Sequence, residues 1–359
     1  MKRMVAVLIT LCLLLNGCSF WMDGSYFTVT PHVEPSNQTE KPIIDVSDYK
    51  QLKAALISLV DSSAESAVLY MQNTTNDQAY ADLEAAIQDI CQNHPYAAYA
   101  VESMEYEFGT GSEKNAVRIR ITYLQNRVER EKILVAGDTE EIRKILVERL
   151  EACEAGVVLL FESDEQVDFA QIVADCAVEY PQRVMQAPEV TISVYPEKGT
   201  EQIVELKFTY QTSREELRTL QNKVTPVFAS AAQHVAGDWA EEEKAARLYT
   251  FLMERYEYNI QTSITPAYSL LLHGVGDSRA FAMIYAAMCR QSDVECQVVT
   301  GTREGTPWVW NVLYIDGVYY YLDLLRSKSN GSFGMYTQDE MIDYVWDYST
   351  YSVTEEENS

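Results

Sequence analysis

A chain of 359 residues is long enough for two or three domains with their own cores, and an apolar fraction of 47% excludes wholesale disorder. With 28 basic and 54 acidic residues the formal charge is −26, which makes nucleic acid and anionic headgroups poor partners. Such a surface suits solubility, basic peptides or cations.

At the N-terminus, Lys2 and Arg3 precede the apolar run "MVAVLITLCLLL". That run is short for a spanning helix and fits the hydrophobic segment of a secretory signal. In "LNGC" the small Gly17 stands directly before Cys18. The arrangement resembles the lipobox of bacterial lipoproteins, although Asn16 departs from the usual pattern. The resemblance implies a signal peptide over 1–17 and a diacylglycerol on Cys18. That lipid would hold the chain on the outer leaflet, at the extracytoplasmic face of the bacterial cell membrane. Residues 18–44, rich in Ser, Thr, Pro and Asn without period, read as a lipidated tether. Beyond Cys12 and Cys18, the five cysteines Cys91, Cys153, Cys176, Cys289 and Cys296 are odd in number and widely spaced. They form neither a disulfide framework nor a metal-binding spacing, so buried thiols are expected, with no metal and no cofactor.

An internal repeat follows. "DYKQLKAALISLVDSSAESAVLYMQN" from Asp48 aligns without gaps on "DTEEIRKILVERLEACEAGVVLLFES" from Asp138. Leu52, Leu56 and Val60 correspond to Ile142, Leu146 and Leu150, and "VRIRITY" later corresponds to "VELKFTY". Helical spacing followed by alternation gives helix, strand, helix, strand, strand in each copy, over 45–133 and 134–219. Tyr123 and Tyr210 recur at strand ends as caps on the core. The copies preserve no titratable residue of catalytic type, so this region reads as scaffold or recognition surface.

A third unit is expected over 220–349, with a short acidic tail at 350–359. Its first strong helix, "WAEEEKAARLYTFLMERYEYNI", places Ala245, Leu248, Leu252 and Tyr256 on one face, and Asp238 with Glu241 suggests a capping box. In "HGVGDSRAFAMIY" an apolar helical pattern starts at Ser278, which is placed either to cap a helix or to act as a nucleophile. Strands are expected at 296–301, 306–315 and 318–324, with a tight Asp316-Gly317 turn between the last two.

A hydrolase elbow around Ser278 would need a base, yet the four histidines His32, His94, His234 and His273 all precede it, and Ala280 stands where that motif has glycine. The succession "AYSLLLHGVGDSRAFAMIYAAMCRQSDVECQVVTG" and "WVWNVLYIDGVYYYLDL" instead resembles the bacterial transglutaminase-like domain, a relative of papain-type cysteine proteases, over roughly 240–330. The expected fold is α+β: the duplicated helix-strand-helix-strand-strand region, followed by the transglutaminase-like (cysteine-protease-like) α+β domain that the resemblance implies. The resemblance also puts Ser278 at the family's cysteine, Trp308 at its histidine and Asp323 at its aspartate, with Tyr256, Tyr258, Trp308 and Trp310 around the substrate cleft. Serine is a poor nucleophile without a base, and indole offers no basic lone pair. The expected protein is therefore a pseudoenzyme that binds or scaffolds peptide, cell-wall or envelope-protein ligands. The alternative is a hydrolase or acyltransferase using Ser278 with a non-standard base such as His273, with Asp277 adjacent.

Overall fold

In a computed structural model, the structure describes residues 42–72, 75–111, 115–124, 126–162, 167–259 and 266–348. The expected signal peptide 1–17, Cys18, nearly all of the tether and the acidic tail lie outside the described residues.

The repeated apolar pattern builds the same unit twice. The first runs β1 (Ile43–Val46), α1 (Tyr49–Asp61), β2 (Ser66–Met71), α2 (Asn76–Asn93), α3 (Pro95–Ala100), β3 (Val101–Phe108) and β4 (Ala116–Tyr123). The second runs β5 (Ile133–Ala136), α4 (Thr139–Glu151), β6 (Gly156–Glu162), α5 (Phe169–Glu179), β7 (Glu189–Tyr195) and β8 (Glu201–Thr209). Their sheets are ordered β1-β2-β4-β3 and β5-β6-β8-β7. In each, the opening strand pairs in parallel with the second: Ile43 faces Val68, and Ile133 faces Val158.

The local causes repeat as well. Asp48 and Asp138 each accept a backbone N–H one turn into the helix, at 2.8 Å, and so cap α1 and α4. Ser63 and Cys153 take the same left-handed turn after those helices, at φ 54 and 50. Leu52, Leu56, Leu69, Leu83 and Ile119 form one core; Ile142, Leu146, Leu159, Val173 and Leu206 form the other. Each such side chain contributes about 1.5–3 kcal/mol by leaving water.

Two features differ from the sequence expectation. Each unit opens with a further strand, so the order is strand, helix, strand, helix, strand, strand, and β1 starts inside the expected tether. In the first unit Pro95 starts the short helix α3, whereas Pro181 in the second begins a turn. α3 lies on the second sheet, with Ile203 in its core cluster and Val158 and Leu160 packed against it. Arg127 fastens this junction by donating to Tyr99 O, Tyr195 Oη and Glu205 Oε2, each at 3.0 Å.

The C-terminal part begins with α6 (Arg214–Ala232), closed at its start by a capping box between Ser213 and Glu216. This helix runs through the boundary placed at 219/220. α7 (Glu241–Arg255) follows, but its N-cap is Ala240 with no side-chain cap bond, so the Asp238–Glu241 box is not formed. Next come β9 (Glu257–Tyr258), α8 (Ser269–His273), β10 (Val275–Gly276) and α9 (Ser278–Gln291). β11 (Glu295–Arg303), β12 (Thr306–Ile315), β13 (Val318–Leu322), α10 (Leu324–Ser329) and β14 (Tyr344–Trp346) follow. The last sheet is antiparallel, ordered β13-β12-β11-β14. Asp316 and Gly317 both have positive φ, 51 and 79, which is the type I′ geometry that a two-residue hairpin turn favours.

α9 is the spine of this part. Phe281, Ile284, Tyr285 and Met288 are buried in its core cluster, and Tyr285 donates to Ala245 O at 2.9 Å. At its far end Arg290 reaches Glu179 O and lies 5.2 Å over Tyr180, which joins it to the second unit. The fold is mixed α+β. Among the described residues no helix is long and apolar enough to cross a membrane.

Candidate functional site

Ser278, Trp308 and Asp323 lie on three different elements, and the packing of α9 against β12 draws them together. Asp277, extended at φ −87 and ψ 178, is the N-cap of α9 and accepts Ala280 N–H at 2.8 Å. Ser278 is therefore the first helical residue and not the cap. Its hydroxyl oxygen accepts Val309 N–H at 3.3 Å. Pairing of β12 with β13 stops at Asn311, so Val309 lies beyond that ladder and its N–H is directed to the serine. Asn311 fixes the approach from below: fully buried, it donates to Ala282 O of α9 at 2.9 Å and to Gln297 O of β11 at 3.3 Å.

Trp308 and Asp323 are in direct contact. The indole Nε1–H donates to Asp323 Oδ2 at 2.9 Å. The same oxygen accepts Tyr344 Oη–H at 2.6 Å and Arg303 N–H at 3.2 Å. The other carboxylate oxygen caps α10 by accepting the N–H groups of Leu325 and Arg326, at 2.9 and 3.2 Å. Asp323 is only 1% exposed, so this shell replaces water around a buried carboxylate and balances its charge with Arg303. Burial first, and then the Asp323 charge, pushes the Tyr344 phenol well above its ordinary range and keeps it a donor.

Arg303 lies 5.5 Å over the rings of both Trp308 and Tyr344. Tyr258 meets Trp308 edge-on with centroids 5.7 Å apart. The short parallel pair β9–β10 puts Tyr258 opposite Gly276, on the turn that leads into Ser278. Burial, followed by the charges of Asp277 and Asp323, raises the Tyr258 phenol too. Half-buried Ser278, Tyr258 and Trp308 thus share one wall of the fold.

The other sequence candidates sit elsewhere. Trp310 is 1% exposed and packs between Tyr344 and Trp346, so it belongs to the core and not to a cleft. Its ring fits because Gly301 has no side chain: a Cβ there would stand 2.7 Å from the indole and 2.2 Å from Val345 O. Tyr256 is likewise a core residue at the end of α7. His273 is exposed at the end of α8, where Gly274 at φ 79 turns the chain away. Among the described residues no hydrogen bond joins His273 to Ser278. Nor, among them, does any group of three or more His, Cys, Asp or Glu stand ready for a metal. Arg303 and Tyr344 carry no local signal in the sequence, being a lone arginine at a strand end and a tyrosine after a long connection.

Chemically, the wall offers a hydroxyl at a helix start, an indole donor and a carboxylate saturated by donors. The start of α9, a tryptophan-bearing strand and an aspartate just after the next strand thus meet at one wall. Residues 229–324 match the family described as the transglutaminase-like superfamily. Solved structures that are similar at low identity include the following three. One is a TGase, with 9% identity and a TM-score of 0.29, covering 62% of this chain and 64% of its own. A protease candidate from Parabacteroides distasonis ATCC 8503 has 9% identity and a TM-score of 0.24, covering 46% and 39%. A cysteine protease candidate from Cytophaga hutchinsonii has 16% identity and a TM-score of 0.26, covering 46% and 69%. The chain therefore spans less than two thirds of the first two. No curated protein sequence matches significantly.

Proposed function

We propose that this chain is a lipid-anchored protein of the extracytoplasmic membrane face whose transglutaminase-like domain binds or scaffolds ligands without catalysing acyl transfer. The single observation that carries this reading is the Trp308 indole N–H on Asp323. In acyl transfer by a triad, the group between nucleophile and carboxylate donates to the carboxylate from one nitrogen and accepts the nucleophile's proton at the other. Indole meets the first requirement and fails the second, because its only nitrogen is a donor. Ser278 at a helix start is stabilised as an anion too weakly to ionise unaided. The half-buried rings of Trp308 and Tyr258 supply aromatic contacts of the kind that hold a peptide or a cell-envelope ligand. Anchoring at Cys18, through the lipobox-like "LNGC", would hold the outer leaflet as partner and present this wall outside the cell.

The test is turnover by the purified chain of glutamine-donor and amine-acceptor pairs and of fluorogenic peptides. The reading expects none above buffer. Turnover that disappears in Ser278→Ala overturns it.

A further inference from the structure

The two repeated units differ at one place where their folds are the same. In the first unit Asp45 on β1 accepts a hydrogen bond from Gln72 Nε2 at 3.1 Å, so both polar groups at the edge strand are satisfied. Ninety residues on, the same two positions are Val135 and Glu162. Val135 on β5 is 71% exposed, and Glu162 lies directly across the strand pair from Glu201. Like charges facing each other across a sheet oppose folding. Among the described residues neither carboxylate makes an ion pair; the one titratable base that Glu201 acts on is His94, whose burial favours the neutral ring.

β5 is also the edge of its sheet. Beside it are two adjoining hollows that share Val135, Leu160 and Glu201. One, of about 410 Å³, extends to Gly137 and Glu162. The other, of about 270 Å³, extends to Asp61, His94 and Arg130. Arg130 is already held by Asp61 at 3.0 Å and stacked 4.4 Å over Tyr96, so its charge is spent within the protein. The result is an open strand edge, an exposed apolar side chain and two facing carboxylates without an ion pair along one groove.

We propose that this groove takes an extended basic peptide segment, added as a further strand on β5. Its backbone would pair with the unpartnered edge of Ile133–Ala136, an apolar side chain would cover Val135 and Leu160, and a lysine or arginine would sit between Glu162 and Glu201. Charge complementarity names the occupant: a basic partner relieves the repulsion that the fold retains at this pair, and an acidic one adds to it. Among the described residues the first unit offers no equivalent pair, because Asp45 and Gln72 satisfy each other. This binding site is separate from the wall around Trp308 and stands whether or not that wall is catalytic.

The probe is a fluorescein-labelled hexapeptide of alternating lysine and valine, titrated with the full chain at physiological salt and read by fluorescence anisotropy. Glu162→Gln combined with Glu201→Gln removes repulsion and so leaves the fold intact; it is expected to weaken binding at least tenfold. Glu242→Gln with Glu243→Gln, on the exposed start of α7, changes the net charge equally and should leave binding unchanged. A probe N-methylated at alternate residues, which keeps its charge but cannot pair as a strand, should not bind. Equal losses in the two double variants, equal binding of the N-methylated probe, or no saturable binding by the wild-type chain would each overturn the proposal.

Discussion

The indole nitrogen of Trp308 stands 2.9 Å from Asp323 Oδ2, with Tyr344 and Arg303 on the same oxygen. One carboxylate thus ties together β11, β12, β14 and the start of α10, and its removal acts on fold before function. Asp323→Ala leaves Arg303 without its partner and α10 without its cap, and is expected to cost about 3 kcal/mol or more. Trp308→Phe deletes a single donor to a charged acceptor that keeps four others, for about 1–2 kcal/mol. Urea unfolding of the two variants should rank them in that order; equal losses would mean that the carboxylate shell is not what holds the wall.

The paired caps give a second expectation. Asp48→Ala and Asp138→Ala remove equivalent bonds from α1 and α4, and each should lower stability by about 1 kcal/mol. Circular dichroism melts would check this, and a loss confined to one unit would contradict the structural equivalence of the copies.

His94 makes the first unit sensitive to pH. Its Nδ1 accepts Ala97 N–H at 3.4 Å to cap α3, which requires the neutral ring. Burial lowers its pKa below the usual 6.5, against the opposing pull of Asp61 and Glu201. A base whose folded pKa is depressed contributes its full stability above the unfolded value and loses it as pH falls from there through the folded value. The urea midpoint should therefore decrease below about pH 6.5. In His94→Asn, which caps without titrating, that part of the decrease should vanish.

The thiols of the described residues, Cys91, Cys153, Cys176, Cys289 and Cys296, should be inert. Burial pushes Cys176 up to about 12 and raises Cys91, Cys153 and Cys296 above the ordinary thiol value. Ellman's reagent at pH 8 should react slowly with the native chain and rapidly in urea. Rapid labelling of native protein would contradict the burial.

Much of this was legible in the sequence because it was periodic. Leu52, Leu56 and Val60 announce a helix face, and their echo at Ile142, Leu146 and Leu150 announces its copy. The opening strands "IIDV" and "ILVA" carry no such signal: four residues show no alternation, and their partners lie across a whole helix. At the site, chain order sufficed to bring Ser278, Trp308 and Asp323 into one group. Strand alternation puts Trp308 and Trp310 on one face, so parity could not separate them. What distinguishes them is the returning segment with Tyr344 and Trp346, which covers Trp310 and leaves Trp308 at the margin. Tertiary return of that kind is invisible in a local window, as are the partners Arg303 and Tyr344.

The proposed lack of catalysis requires that Trp308 stand where a base would have to face Ser278, and a thiol introduced at Ser278 reports on that directly. The rate of iodoacetamide alkylation against pH gives the thiol pKa in Ser278→Cys alone and in combination with Trp308→His. The imidazole in the second variant should lower that pKa by at least one unit and speed alkylation at pH 6 about tenfold or more. Identical profiles in the two proteins would contradict the account, because position 308 would then not face the serine's place at all.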